Sequence, residues 1–194
     1  MGVTGCGKST VGSQLAHALG WQFFDADDYH PQKNVLKMKS GIPLTDEDRK
    51  GWLMSLHQLV CTEEKSGRHV VLACSALKAK YREILVGSSQ KFVTPLFLFL
   101  DISREAAKAR LKLREGHFMP ASLVDSQFDI LETPKNGHRL DAELPLPQVF
   151  KKPPRSQKNK LSPFDPKKSC IQVLRPNVFL RTHYKEPYVD KTHE

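Results

Sequence analysis

Gly2-Val3-Thr4-Gly5-Cys6-Gly7-Lys8-Ser9 fills the pattern G-x-x-x-x-G-K-S at the start of the chain. Few eight-residue patterns constrain a fold as tightly. It needs a strand to deliver the loop and a helix to leave it, so it commits the chain to strand–loop–helix units. The glycines let backbone N–H groups converge on one phosphate, and the helix N-terminus adds partial positive charge. Lys8 has the reach for β- and γ-phosphates, and the Ser9 hydroxyl suits Mg²⁺. Residues Gly2, Val3, Thr4, Gly5, Cys6, Gly7, Lys8 and Ser9 are therefore candidates for binding a nucleotide's phosphates.

The hydrophobic pattern beyond the loop alternates in the same sense. Residues 1–3 read as the last stub of a strand. Residues 8–19 read as a helix with Val11, Leu15, Ala18 and Leu19 on one side and Gly20 past its end. A strand is expected at 21–24, then a loop running through Pro31 and Pro43. Thr45, with Asp48 three residues on, reads as the cap of a helix carrying Trp52, Leu53, Leu56, Leu59 and Val60, ended by Ser66-Gly67. Apolar runs at 69–74 and 96–100 suit strands covered on both faces. Helices are expected at 78–86, 103–114 and 121–131, with a glycine-containing loop at 114–120. The sum is an α/β fold: a doubly wound parallel sheet with helices on both faces.

Charge separates the chain into two kinds of sequence. Its 194 residues carry a net charge of +9, of which residues 1–132 hold only +2 and residues 133–194 hold +7. Nine of the 13 prolines also lie in the second part. A domain at 1–134 and a basic Pro/Lys-rich tail at 135–194, mostly disordered, are expected, with strands in the tail only at 170–174 and 178–180. Leu144-Pro145-Leu146-Pro147 favours extended, polyproline-like backbone. The tail's aromatics form no stacking motif, so its charge reads as solvated rather than as a nucleic-acid site. No apolar run is long enough to span a membrane, and no secretory signal opens the chain. The four cysteines include no Cys-x-x-Cys pair, in keeping with a reducing, cytoplasmic setting.

Other candidates stand at the ends of the expected strands, where doubly wound sheets bind ligands. Asp25 and Asp27, alternate residues of an extended backbone, would project the same way. Asp25 suits a water-linked metal, and Asp27 suits the base that takes a proton from an attacking hydroxyl. Lys78 and Arg82 lie one helical turn apart. Arg110 and Arg114 do likewise and lead into Glu115-Gly116-His117-Phe118-Met119, a basic helix end beside a glycine loop that suits a lid over transferring phosphate.

Four stretches together resemble the gluconate kinase family, within the wider group of shikimate-kinase-like P-loop enzymes. They are GVTGCGKSTVG, FFDADDYHPQKNVLKMKSGIPLTDEDRKGWL, VVLACSALKAKYREIL and LKLREGHFMPASLVDSQFDILE, covering about two thirds of the chain. The resemblance implies a P-loop kinase that uses ATP and Mg²⁺ to phosphorylate D-gluconate to 6-phospho-D-gluconate. It implies Lys8, Ser9 and Thr10 as phosphate and metal contacts, Asp25 as the metal-side acid, and Asp27 as the substrate and base position. His30, Arg49, Lys78, Arg82 and His117 are implied as contacts to the sugar acid, and Arg110 and Arg114 as lid arginines. A homodimer is a further expectation, and neither a membrane nor nucleic acid is an expected partner. Three departures stand out. Gly51 replaces a proline usual in the family, only Met1 precedes Gly2 where the family has a buried strand, and residues 133–194 do not resemble the family's last strand and helix. A central strand reduced to Met1 implies a weak or inactive kinase, acting at most as a nucleotide-binding or interaction protein.

Overall fold

The computed structural model describes residues 1–87, 95–113 and 123–149, all within the unit Met1–Pro153. Helix α1 (Lys8–Leu19) leaves the phosphate loop and is followed by strand β1 (Gln22–Asp25). A 3₁₀ turn (Ala26–Tyr29) and helix α2 (Gln32–Lys39) lead to the long helix α3 (Asp46–Lys65). Then come β2 (Val70–Ala73), α4 (Ala79–Val86), β3 (Leu98–Asp101), α5 (Arg104–Lys112) and α6 (Leu123–Asp129). Strand β4 (His138–Asp141) and the short helix α7 (Leu146–Val149) complete the described chain.

Both strand pairs are parallel, β1 with β2 and β3 with β4. Phe23 faces Val71 and Asp25 faces Ala73 in the first pair; Leu98 faces His138 and Asp101 faces Asp141 in the second. Met1 and Gly2 tie the pairs together. The Met1 amine donates to Leu98 O (2.5 Å), Leu100 N–H to Met1 O (2.9 Å), and Gly2 N–H to Ser75 O (3.2 Å). Burial lowers the pKa of that amine to about 6. The expected stub is therefore hydrogen-bonded on both sides, and the phosphate loop it carries is anchored to both strand pairs.

The core gathers Val3, Cys6, Val11 and Ala26 with Trp52, Leu53 and Leu56 of α3, Leu77 and Tyr81 around α4, and Leu100, Ala107 and Val124. A smaller cluster joins Met38, Leu44 and Leu123. Helix α3 starts as its sequence says. Thr45 Oγ1 accepts from Asp48 N–H, and Asp48 accepts from Thr45 N–H in return, a complete capping box.

Several elements differ from expectation. The stretch 26–43 is not a plain loop. It holds the 3₁₀ turn and α2, a helix started by Pro31 and too short and too polar to show a clear apolar face. The buried face of α1 is Val11, Gly12 and Ala16; of the expected Val11, Leu15, Ala18 and Leu19, only Val11 is fully buried and the other three are half-buried. Regular structure also continues past residue 132. His-Arg-Leu-Asp at 138–141 lacks an apolar run, yet pairs with β3 along its full length. Leu146-Pro147 begins a helical turn instead of polyproline-like backbone, because proline is tolerated in a helix's first turn. Residues 150–194 and the loop 114–122 lie outside the described residues, and with them the expected tail disorder, its two strands and the lid.

Candidate functional site

The phosphate loop is built by residues without side chains where space or backbone demands it. Gly7 caps α1 at φ +92°, in the left-handed region. A Cβ on Gly5 would stand 2.7 Å from Ala107 O, so the loop can touch α5 only through a glycine. Lys8 Nζ donates to Val3 O (3.0 Å), which draws its ammonium back over the loop. Ser9 Oγ donates to Asp25 Oδ2 (2.5 Å), joining the start of α1 to the end of β1.

Asp25 has a second duty that corrects the expected geometry. Its Oδ1 accepts from Asp27 N–H (3.1 Å), capping the 3₁₀ turn. Asp27 therefore sits inside that turn and is not an alternate residue of an extended strand. The turn places Asp27 on the wall of two cavities at once. One is a cleft along the phosphate loop from Thr4 to Val11, walled opposite by Arg110, Leu111 and residues 142–146 with Val149. The other is lined by Thr4, Lys8, Asp27, His30, Arg49 and Ser75, with Leu123, Ser126 and Gln127 of α6 closing it.

His30 and Arg49 give the second cavity its character. The His30 ring stacks on Trp52 (centroids 4.0 Å apart, planes 15° apart), whose Nε1–H donates to Ala26 O (2.8 Å). Burial, and then the charge of Arg49, push the His30 pKa down to about 4, so the imidazole is neutral near pH 7. Arg49 is only 7% exposed and its guanidinium lies over the Tyr81 ring at 5.7 Å. Burial lowers its pKa as well. Arg49 Nε and His30 Nδ1 find no hydrogen-bond partner among the described residues. A buried cation that no described carboxylate pairs, beside a neutral ring with a nitrogen unused among the described residues, is chemistry suited to an anionic, hydroxylated ligand.

The other expected cations are placed elsewhere. Lys78 is at the start of α4, paired to Asp46 (2.9 Å), as is Lys80 (2.5 Å); Tyr81 Oη–H donates to the same carboxylate. These three donors hold the Asp46 carboxyl well below the usual range. Arg82 Nη1 donates to the carbonyls of Ala76, Leu77 and Glu132, so it fastens α4 to the chain after α6. Arg110 Nη2 donates to Ala142 O (2.6 Å), on the rim of the phosphate-loop cleft. Arg114 and His117 lie outside the described residues.

Two groups of site residues escaped the sequence reading. Residues 142–146 and Val149 wall the cleft, although their Pro- and Leu-rich sequence gives no phosphate or nucleotide signal. Gln127 is 7% exposed and accepts from Thr4 N–H (2.8 Å); on the sequence it is one polar residue of an amphipathic helix.

The Shikimate kinase family model matches residues 4–135. A "Probable gluconokinase" of Xenopus tropicalis is 49% identical over 154 residues, spanning 73% of this chain and 81% of its own length. The gluconokinase of Gluconobacter oxydans is 48% identical over 134 residues, spanning 69% of this chain and 74% of its own. The crystal structure of a gluconokinase from Sinorhizobium meliloti superposes with a TM-score of 0.67 at 40% identity, covering 77% of this chain and 83% of that one. With an α/β fold, a full phosphate loop and two cavities meeting at one carboxylate, the chain belongs to the shikimate kinase family of P-loop kinases, and within it to the gluconokinases.

Proposed function

We propose that the protein transfers the γ-phosphoryl group of ATP to D-gluconate, giving 6-phospho-D-gluconate and ADP. The observation that carries this reading is the position of Asp27, shared by the phosphate-loop cleft and by the cavity of His30 and Arg49. A donor in the cleft and an acceptor in the cavity would meet at that carboxylate.

The residues divide the work by chemistry. Asp27 accepts the proton of the attacking sugar hydroxyl. Backbone N–H groups of the loop, with Thr10 at the first turn of α1, hold the phosphates; Lys8 and Arg110 supply positive charge where it builds on the transferring group. Arg49 engages the sugar-acid carboxylate with its charged fork, and the neutral His30 serves hydroxyls as donor or acceptor. Ser9 and Asp25 offer two hard oxygen donors 2.5 Å apart at the loop's end, a set that fits Mg²⁺. Mg²⁺ held there would offset the charge of the phosphate oxygens. Lys78 and Arg82 have no part in this account, since their side chains are engaged with Asp46 and with three carbonyls.

ADP release measured with a panel of sugar acids tests the reading. Gluconate is expected to give the highest kcat/KM, with shikimate near background. Arg49→Met is expected to raise the KM for gluconate about tenfold or more while leaving the KM for ATP within about twofold. Equal turnover across the panel, or an unchanged gluconate KM in R49M, would contradict it.

A further inference from the structure

Gln127 stands on α6, 123 residues from the phosphate loop it touches. Its Oε1 accepts from Thr4 N–H at 2.8 Å in a buried setting. The N–H of Thr4 and the carbonyl of Val3 belong to the same peptide group. That group is planar and trans, so its N–H and C=O point in opposite directions and fixing one fixes the other. Val3 O, at the far side, accepts from Lys8 Nζ at 3.0 Å. A relay of two hydrogen bonds and one rigid peptide thus runs from Gln127 to the lysine ammonium.

The base of the relay is tied to a neighbouring helix. Asp125 and Asp129, on the same helix, receive Arg104 of α5 at 3.0 Å each, and Asp125 also receives Lys108 at 2.7 Å. Leu123 packs with Met38 and Leu44, which themselves line the cavity of His30 and Arg49. Helix α6 is therefore one element in contact with both the sugar-acid cavity and the phosphate loop.

We infer that Gln127 is a positioning residue for phosphoryl transfer: by orienting the Val3–Thr4 peptide it sets where the Lys8 ammonium stands, and it ties that placement to the wall of the acceptor cavity. The inference rests on the proposed kinase reading for its kinetic consequence but not for its geometry. Buried side chains that orient a working group commonly change rate more than substrate affinity.

Gln127→Met removes the acceptor at nearly constant volume. It is expected to lower kcat about tenfold while the KM for gluconate stays within about twofold of wild type. Val124→Ala, a core truncation on the same helix, is the stability control and is expected to keep kcat within about twofold. Wild-type kcat in Q127M, an equal loss in V124A, or a gluconate KM that rises while kcat holds would each overturn the inference. Amide exchange separates this from the functional reading. If the wild-type chain releases no ADP with gluconate, that reading fails, and the Thr4 amide is still expected to exchange about tenfold faster in Q127M than in wild type. Equal exchange rates would overturn the relay itself.

Discussion

Asp25 and Asp27, two residues apart, carry different loads because one carboxylate shapes the backbone that holds the other. Asp25 accepts from Ser9 and from Asp27 N–H, and so bends the chain out of β1 into the 3₁₀ turn. Asp27 is thereby lifted to the meeting point of two cavities. The acid pair could be singled out from the sequence, but its geometry could not. The alternation of a strand and the tight turn of a 3₁₀ helix both place two acids near each other, and only the capping hydrogen bond decides between them. Arg49 shows the reverse case. Family resemblance singles it out, whereas its burial and its stack on Tyr81 depend on contacts between α3 and α4.

His30 makes a prediction at this scale. Its folded pKa of about 4 lies below the unfolded value of 6.5, so the unfolded chain binds the extra proton first as pH falls. Stability is then complete above about pH 6.5 and is lost as pH drops toward 4. Between pH 7 and pH 5, wild type is expected to lose about 1 kcal/mol more than His30→Gln, allowing for the partial exposure of the ring. Urea unfolding at the two pH values checks it; parallel losses in the two proteins would contradict it.

Elements with strong local signals match expectation closely. Helix α1 runs from Lys8 to Leu19 between Gly7 and Gly20, as its glycine brackets suggest. Helix α3 opens at the Thr45–Asp48 box and ends at Ser66. Thr45→Ala is expected to cost about 1 kcal/mol of stability in denaturant unfolding, with the KM for ATP unchanged. A neutral effect on stability would mean the cap is not formed in solution. Elements held by tertiary contact were not legible. Strand β4 carries His138, Arg139 and Asp141 in four residues, and only pairing with β3 makes it a strand. Helix α7 is four residues long and gains its place from Val149, buried in the core.

At the scale of the molecule, these late elements matter because they help wall the phosphate-loop cleft. Residues 142–146 and Val149 line the cleft with the phosphate loop, and Arg110 is pinned to Ala142 O on its rim. Leu146→Asp is expected to raise the KM for ATP about tenfold and to leave the KM for gluconate within about twofold. Initial rates at varied ATP and at varied gluconate separate the two. An unchanged ATP KM would remove this wall from the site. The net charge, by contrast, says little about the site. The described cations that line the two cavities include Lys8, Arg49 and Arg110, and the proposed function draws on their position rather than their number.

Product identity tests the central claim most directly. ATP and gluconate incubated with the purified chain can be followed by ³¹P NMR and by the 6-phosphogluconate-dependent reduction of NADP⁺ in a coupled dehydrogenase reaction. The account predicts a phosphomonoester signal that grows only when gluconate is present, in step with ADP. It also predicts that Asp27→Asn lowers the rate by a hundredfold or more while nucleotide binding persists. ATP hydrolysis to inorganic phosphate that ignores gluconate, or an undiminished rate in D27N, would contradict it.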